Sequence, residues 1–392
     1  MYVSGDQSLR DPRLDGVRGM AILLVMLFHT LQYNLVRGPA VLAWTAVPAL
    51  GWSGVDLFFV LSGFLITNIL LDTRHSSTYA LTFYARRTLR IFPLYYAVLM
   101  FFLVIAPRLP FLASLNTAWS GSSRPVGLWY WLYLSNIQVA RTGAFDHIAL
   151  SITWSLAIEE QFYLVWPWIV RRAPERTLLW LCCAILVLAP ALRLACLVTG
   201  SSWIVAYVST PCRLDTLATG AAIAILARRP GGLAPFASGA RRALGWAAAL
   251  LALIVVYLRV THGRRPPTYM SLGLASEPLM QIVGYSALCM LWGSLLIAAV
   301  TAERGSRLAK TFEFGTLRSL GKYSYGLYLL HLPVAIVLGQ WFPVAALVRH
   351  FTIAQLAYSS MAIGASYALA RLSWLALESP ILAWKRYFPY QR

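Results

Sequence analysis

Apolar runs long enough to cross a bilayer recur along this 392-residue chain from near its N-terminus almost to its C-terminus, and nothing else in the sequence restricts the fold so severely. A spanning helix needs about 20 such residues, and inside hydrocarbon every backbone N–H and C=O must be satisfied within the element that carries it. Soluble α/β proteins contain apolar stretches too, but seldom of this length and never so often. The chain is therefore read as all-α and polytopic: a single membrane domain over residues 1–392, with about ten transmembrane helices. These are expected near 17–36, 52–72, 91–106, 153–170, 177–198, 203–227, 243–260, 279–300, 323–345 and 351–376. With 59% hydrophobic and only 12% charged residues, the composition agrees. Residues 128–137 (LWYWLYLSNI) are too short to span, and their Trp and Tyr suit an interfacial or re-entrant segment. No leader sequence is evident, since the first run holds Arg18 and His29 and lacks a small-residue cleavage site.

A net charge of +19 would suit a nucleic-acid partner, but its distribution argues against one. With the N-terminus inside, most of the 33 Lys and Arg residues fall in cytoplasmic segments, against Arg37, Arg108, Arg124, Arg141, Arg259, Arg264, Arg265 and Arg349 outside. That is the positive-inside asymmetry of a multi-pass membrane protein, with an even number of spans and both termini in the cytoplasm. The same basic surface suits an anionic cytosolic ligand. The loops 107–152 and 261–277 are then the main external segments. The five cysteines lie in predicted spans without metal-ligand spacing, so no metal is expected and they are read as packing residues.

Polar groups inside oily helices need a reason, and His29 stands eleven positions after Arg18 on one helix face, roughly 16 Å away. The predicted spans also hold Asp56, Glu159, Glu160, Arg193, Arg213, Asp215, His331 and Arg371. Glu159 sits about 9 Å below the outer end of its span and His29 about 16 Å above the inner end of its own, which places their levels within about 5 Å. Arg213 and His331 fall near the same depth, so a shared polar cavity is expected. A histidine steadied by a carboxylate is an arrangement for general-base chemistry. Proton-coupled transporters carry the same residue types, and chemistry alone leaves enzyme and transporter open.

Sequence blocks resolve that choice. Leu14-Asp15-Gly16-Val17-Arg18-Gly19 leading to His29 resembles the opening signature of the acyltransferase-3 family of integral-membrane O-acyltransferases. In the same order follow Gly54-Val55-Asp56-Leu57-Phe58-Phe59-Val60-Leu61-Ser62-Gly63-Phe64-Leu65-Ile66, then Arg86-Arg87-Thr88-Leu89-Arg90-Ile91-Phe92-Pro93, then Thr153-Trp154-Ser155-Leu156 with Glu159, Phe162 and Tyr163. Arg213-Leu214-Asp215 with Gly220, Tyr323-Ser324-Tyr325-Gly326-Leu327-Tyr328-Leu329-Leu330-His331 and Glu378-Ser379-Pro380 complete the set. The chain is similar to members without an extracytoplasmic hydrolase-like domain.

The resemblance implies acyl-CoA, usually acetyl-CoA, as a donor substrate rather than a tightly bound cofactor. It also implies an acceptor hydroxyl on a cell-surface carbohydrate or glycosylated metabolite, with lipopolysaccharide, other polysaccharides and glycolipids all open. His29 is then the base or a transient acyl carrier, oriented by Glu159, whose face Tyr163 shares one turn on. Arg18, Arg86, Arg87 and Arg90 form a basic rim for the donor's phosphates, and Asp15 holds Arg18. Arg213 with Asp215 is either an internal ion pair or a substrate contact, and His331 either packs or touches substrate. Ser62 is read as a packing residue because no base adjoins it in sequence. The rival reading is a transporter or flippase of a lipid-linked sugar or small solute.

Overall fold

The computed structural model describes residues 11–33, 50–109, 127–261, 272–342 and 351–390, and every regular element among them is helical. The ten principal helices are α1 (Pro12–Tyr33), α2 (Gly54–Asp72), α3 (Tyr79–Leu99), α4 (Thr153–Arg172), α5 (Glu175–Val198), α6 (Thr210–Leu226), α7 (Ala237–Thr261), α8 (Tyr285–Val300), α9 (Ser324–Trp341) and α10 (Phe351–Ser373). Among the described residues six helices are long and apolar enough to cross a membrane: Pro12–Leu31, Gly51–Asp72, Tyr79–Arg108, Glu175–Val198, Ala234–Leu258 and Met280–Val300. The other expected spans are helical but more polar or shorter. Helix α4 carries Glu159, Glu160, Arg171 and Arg172, α6 has 17 residues with Arg213 and Asp215 inside, and α9 and α10 carry His331, Gln355 and Arg371.

Three expectations are corrected in detail. The span expected at 203–227 is two helices, Trp203–Val208 and α6, because Ser209 is extended (ψ 131°) and Pro211 opens the first turn of α6, where its missing N–H costs nothing. The helix expected at 91–106 begins at Tyr79, so Arg86, Arg87 and Arg90 project from helix rather than from the loop before it. The external loop at 107–152 contains helices Gly127–Trp131 and Ser135–Thr142, which meet at Tyr133 in the left-handed region (φ 54°) and fold back against the bundle. Tyr95 donates to the Tyr130 carbonyl (2.8 Å), the Tyr95 and Tyr133 rings stack at 4.1 Å, and Gln161 donates to the Tyr133 carbonyl (3.0 Å). The topological charges Arg10, Arg37, Arg124, Arg264, Arg265, Arg349 and Arg392 lie outside the described residues.

Small residues set how closely the helices approach. Helices α2 and α6 cross where Gly63 faces the Leu217 carbonyl and Gly220 faces the Val60 carbonyl, so a methyl group at either glycine would strike backbone. On the other side of α1, Gly16 and Gly19 lie against the backbone of Phe312 and Leu317 in the short helices Arg307–Glu313 and Gly315–Lys322.

Candidate active site

Helices α1 to α4, α9 and the segment after α10 enclose a cavity of about 410 Å³. Its long wall is α2, whose residues from Val55 to Ile69 line it over about 21 Å of helix rise. The wall is apolar, with Phe58, Phe59, Leu61, Leu65 and Ile66 among its residues. Because α3 runs antiparallel to α2, Arg86, Arg87 and Arg90 stand at the end where α2 finishes, joined by Arg18, Lys385 and Tyr390. Arg18 also pairs with Asp15 at 2.8 Å, the i,i+3 contact expected from the sequence. The four arginines expected as a rim are thus brought together, and Lys385 and Tyr390 join them from the far C-terminal end of the described chain.

Halfway along the wall, Ser62 hydrogen-bonds both the Glu159 carboxylate and the Tyr163 hydroxyl. Glu159 and Tyr163 share one face, as their spacing predicts, while Glu160 is not among the lining residues. The carboxylate partner that Ser62 lacks in its own sequence neighbourhood comes from a helix 97 positions on. Away from the arginines the cavity is lined by Val55, Phe58 and Tyr328, the ring centroids of the last two being 6.1 Å apart. Tyr328 is fixed there by a 2.5 Å hydrogen bond to Ser155.

Beyond Tyr328 lies His331, and against it His29. The rings of Tyr328 and His331 are 6.0 Å apart, those of His29 and His331 4.9 Å. Nδ1 of His331 faces two carbonyl oxygens, of Leu327 (3.0 Å) and Tyr328 (2.8 Å), so this nitrogen carries the proton. In the neutral ring Nε2 is then an acceptor, and it stands 3.1 Å from Nδ1 of His29, which also faces the Val25 carbonyl at 3.0 Å. With two acceptors around it, Nδ1 of His29 is the protonated nitrogen, and Nε2 of His29 keeps its lone pair. His331 is buried, His29 half-buried.

The structure thus gives His29 a different neighbour from the one expected: its ring meets His331, whereas Glu159 stands with Ser62 and Tyr163. Ser155 is level with Tyr328; Glu159 lies one turn from it in one direction and His331 three residues in the other, a separation of about 10 Å along the bundle. The helices at 127–142 pack on the start of α4, with Thr153 bonded to Ser135, so the first residue of α4 does not mark the edge of the bundle from which the depth of Glu159 is counted.

Arg213 and Asp215 do not pair with each other. Arg213 binds Asp56 of α2 at 2.6 Å and Asp215 binds Arg193 of α5 at 2.7 Å, and the guanidinium of Arg213 lies 4.6 Å from the centre of the Tyr285 ring. All four side chains are buried, and none lines the cavity.

Residues 11–371 match the family model of the acyltransferase-3 group, described as an acyltransferase domain. The chain is 27% identical over 390 residues to a peptidoglycan O-acetyltransferase OatA of Listeria monocytogenes, covering 94% of this chain and 55% of that protein. It is 26% identical over 382 residues to the O-acetyltransferase OatA of Staphylococcus aureus, covering 94% and 57%, and 29% identical over 347 residues to a putative peptidoglycan O-acetyltransferase, YrhL, of Bacillus subtilis, covering 83% and 49%. The chain spans about half the length of the curated relatives it matches. No solved structure matches.

Proposed function

Because the chain belongs to the acyltransferase-3 family, we propose that it is a membrane O-acyltransferase, moving an acetyl group from acetyl-CoA to a hydroxyl of a cell-surface carbohydrate. The observation that carries this reading is a cavity lined by Arg18, Arg86, Arg87 and Arg90 and also by Phe58 and Tyr328, with the His331 ring 6.0 Å from that of Tyr328 and behind the lining. The arginines bind the donor's phosphates by charge-assisted hydrogen bonds. The pantetheine arm follows the apolar wall of α2, where the Ser62 and Glu159 oxygens accept from its amide N–H groups. The thioester then passes Phe58 to reach His29.

Nε2 of His29, held bare by the tautomer described above, takes the proton of the acceptor hydroxyl as its oxygen attacks the thioester carbonyl. The C–S bond breaks, and the imidazolium returns the proton to the departing thiolate, releasing CoA. His331 fills the orienting position that Glu159 was expected to occupy. If His29 is instead a transient acyl carrier, the same lone pair attacks the thioester first.

The acceptor class follows the relatives, two of which are named for peptidoglycan. For topology we keep about ten spans, counting α4, α6, α9 and α10 among them, with both termini and the arginine mouth on the cytoplasmic side of a bacterial inner membrane. His29→Ala tests the reading. Release of free CoA from acetyl-CoA, measured with a thiol reagent on purified protein given glycan acceptor, should fall by about 10²–10⁴-fold while CoA still binds. Turnover near that of wild type would overturn it.

A further inference from the structure

Lys385 lies in the turn Ala383–Tyr387, which follows α10 and lies beyond the membrane-spanning helices. This C-terminal strap is fastened across the cavity mouth by Arg86. Nη1 of Arg86 donates to the carbonyls of Phe388 (2.9 Å) and Lys385 (3.2 Å), and its guanidinium lies 4.4 Å from the centre of the Tyr390 ring. The Lys385 side chain thereby becomes part of the cavity lining, on a segment that no acyltransferase motif in the sequence includes.

Lys385 enters crowded electrostatic company. It feels the charges of Arg86, Arg87 and Arg90 of α3 and shares the cavity lining with Arg18 of α1, Glu159 and Tyr163 of α4 and Tyr325 of α9, while Glu378, in the turn after α10, acts on Arg90. Among the described residues only Arg18 of these cations makes an ion pair, with Asp15. Arg87 lies over the rings of Phe83 and Tyr163, and Arg86 spends its donors on strap carbonyls. The mouth therefore holds more positive charge than the protein neutralises, an arrangement that costs stability unless an anion with several charges completes it.

We propose that the C-terminal strap supplies Lys385 as a fifth cationic ligand for the phosphates of the donor, and that this amine takes up its proton when the polyanion binds. The proposal rests on the acyl-CoA reading above. Burial, then Arg90, Arg87 and Arg86, hold the free ammonium down to about 7. Phosphates placed among these groups reverse the local field and restore the charged form. Below the free value the amine is already protonated, and binding takes up little. Above it, binding must draw a proton from solvent, so affinity weakens with rising pH by up to about tenfold per unit. The strap thus makes donor capture respond to cytosolic pH, and Arg at this position would not, since a guanidinium stays charged.

Calorimetric titration of the purified full-length protein with CoA, in buffers of different ionisation enthalpy, reads the proton directly. At pH 8 the wild type should take up roughly 0.4 proton per CoA beyond that of Lys385→Arg, which reports the ligand's own phosphates; this is the uptake that goes with a tenfold effect. Lys385→Ala should weaken CoA by about tenfold at pH 6 and far less at pH 9, and Lys385→Arg should hold its pH 6 affinity across the range. Equal proton uptake and equal pH slopes in wild type and Lys385→Arg would overturn the assignment while leaving the donor reading intact. Failure of wild type to bind CoA at any pH would remove the donor reading and this proposal with it.

Discussion

Around Arg193 and Arg213 each guanidinium meets a carboxylate from another helix, Asp215 or Asp56, whereas at the cavity mouth Arg86, Arg87 and Arg90 meet backbone carbonyls, aromatic rings or open cavity. Both clusters are arginine-rich and both sit against α2. The first is electrically complete and sealed, which is what a structural fastening between α2, α5 and α6 needs. The second is incomplete, and an unneutralised group of cations along a cavity is a site waiting for an anion. Counting arginines would not have separated the two; asking which ones have a partner does.

The comparison can be broken most forcefully at the sealed cluster. Arg213→Ala leaves Asp56 buried without its partner and should cost about 3–5 kcal/mol, read as a lower thermal unfolding midpoint in detergent, whereas Asp56→Leu combined with Arg213→Met should recover most of it. A single variant that melts like wild type would mean that the pair does not fasten the bundle.

The mouth should behave the other way round. Arg90→Ala should leave the melting curve in place yet weaken CoA by about tenfold, roughly 1.4 kcal/mol, with a smaller response to added salt than wild type shows. Loss of stability with CoA binding unchanged would merge the two clusters into one structural class. The smallest effect belongs to Arg86→Ala, because this arginine contacts the strap more than the ligand. The loss of its two carbonyl contacts should raise the rate of proteolysis within 383–390 by about threefold and change CoA affinity less than Arg90→Ala does. An unchanged cleavage rate would show that the strap is held by other contacts.

Much of this architecture was legible because hydrophobic length is a local property. The all-helical class follows from the apolar runs, six of which form helices long and apolar enough to cross a membrane among the described residues, and the Asp15–Arg18 contact and the shared face of Glu159 and Tyr163 follow from helical periodicity. What escaped depends on non-local structure. The depth of Glu159 depends on how residues 127–142 pack: their apolar, Trp- and Tyr-rich sequence suggests an interfacial or re-entrant segment but does not show that it folds back onto the start of α4. His29 and His331 are 302 positions apart, and their similar depth pointed to a common level without showing that the rings touch. Ser62 looked inert because its carboxylate neighbour comes from α4, and Lys385 looked like a topological charge because nothing in its own sequence says that Arg86 will draw it over the cavity.

The crossing at Gly63 and Gly220 has a mechanical consequence. Two helices in contact through their backbones have no side-chain cushion to yield, so neither can slide along or roll over the other without a carbonyl striking a Cα. Ser62 precedes Gly63, so the wall that carries the cavity's central hydroxyl is anchored to a backbone-to-backbone joint. The opposite side, with α3 and the strap, bears on the cavity through long side chains, which bend cheaply. On the proposed reading, a donor that enters and leaves on every turnover is admitted from that side, with α2 as the anvil and the strap as its latch.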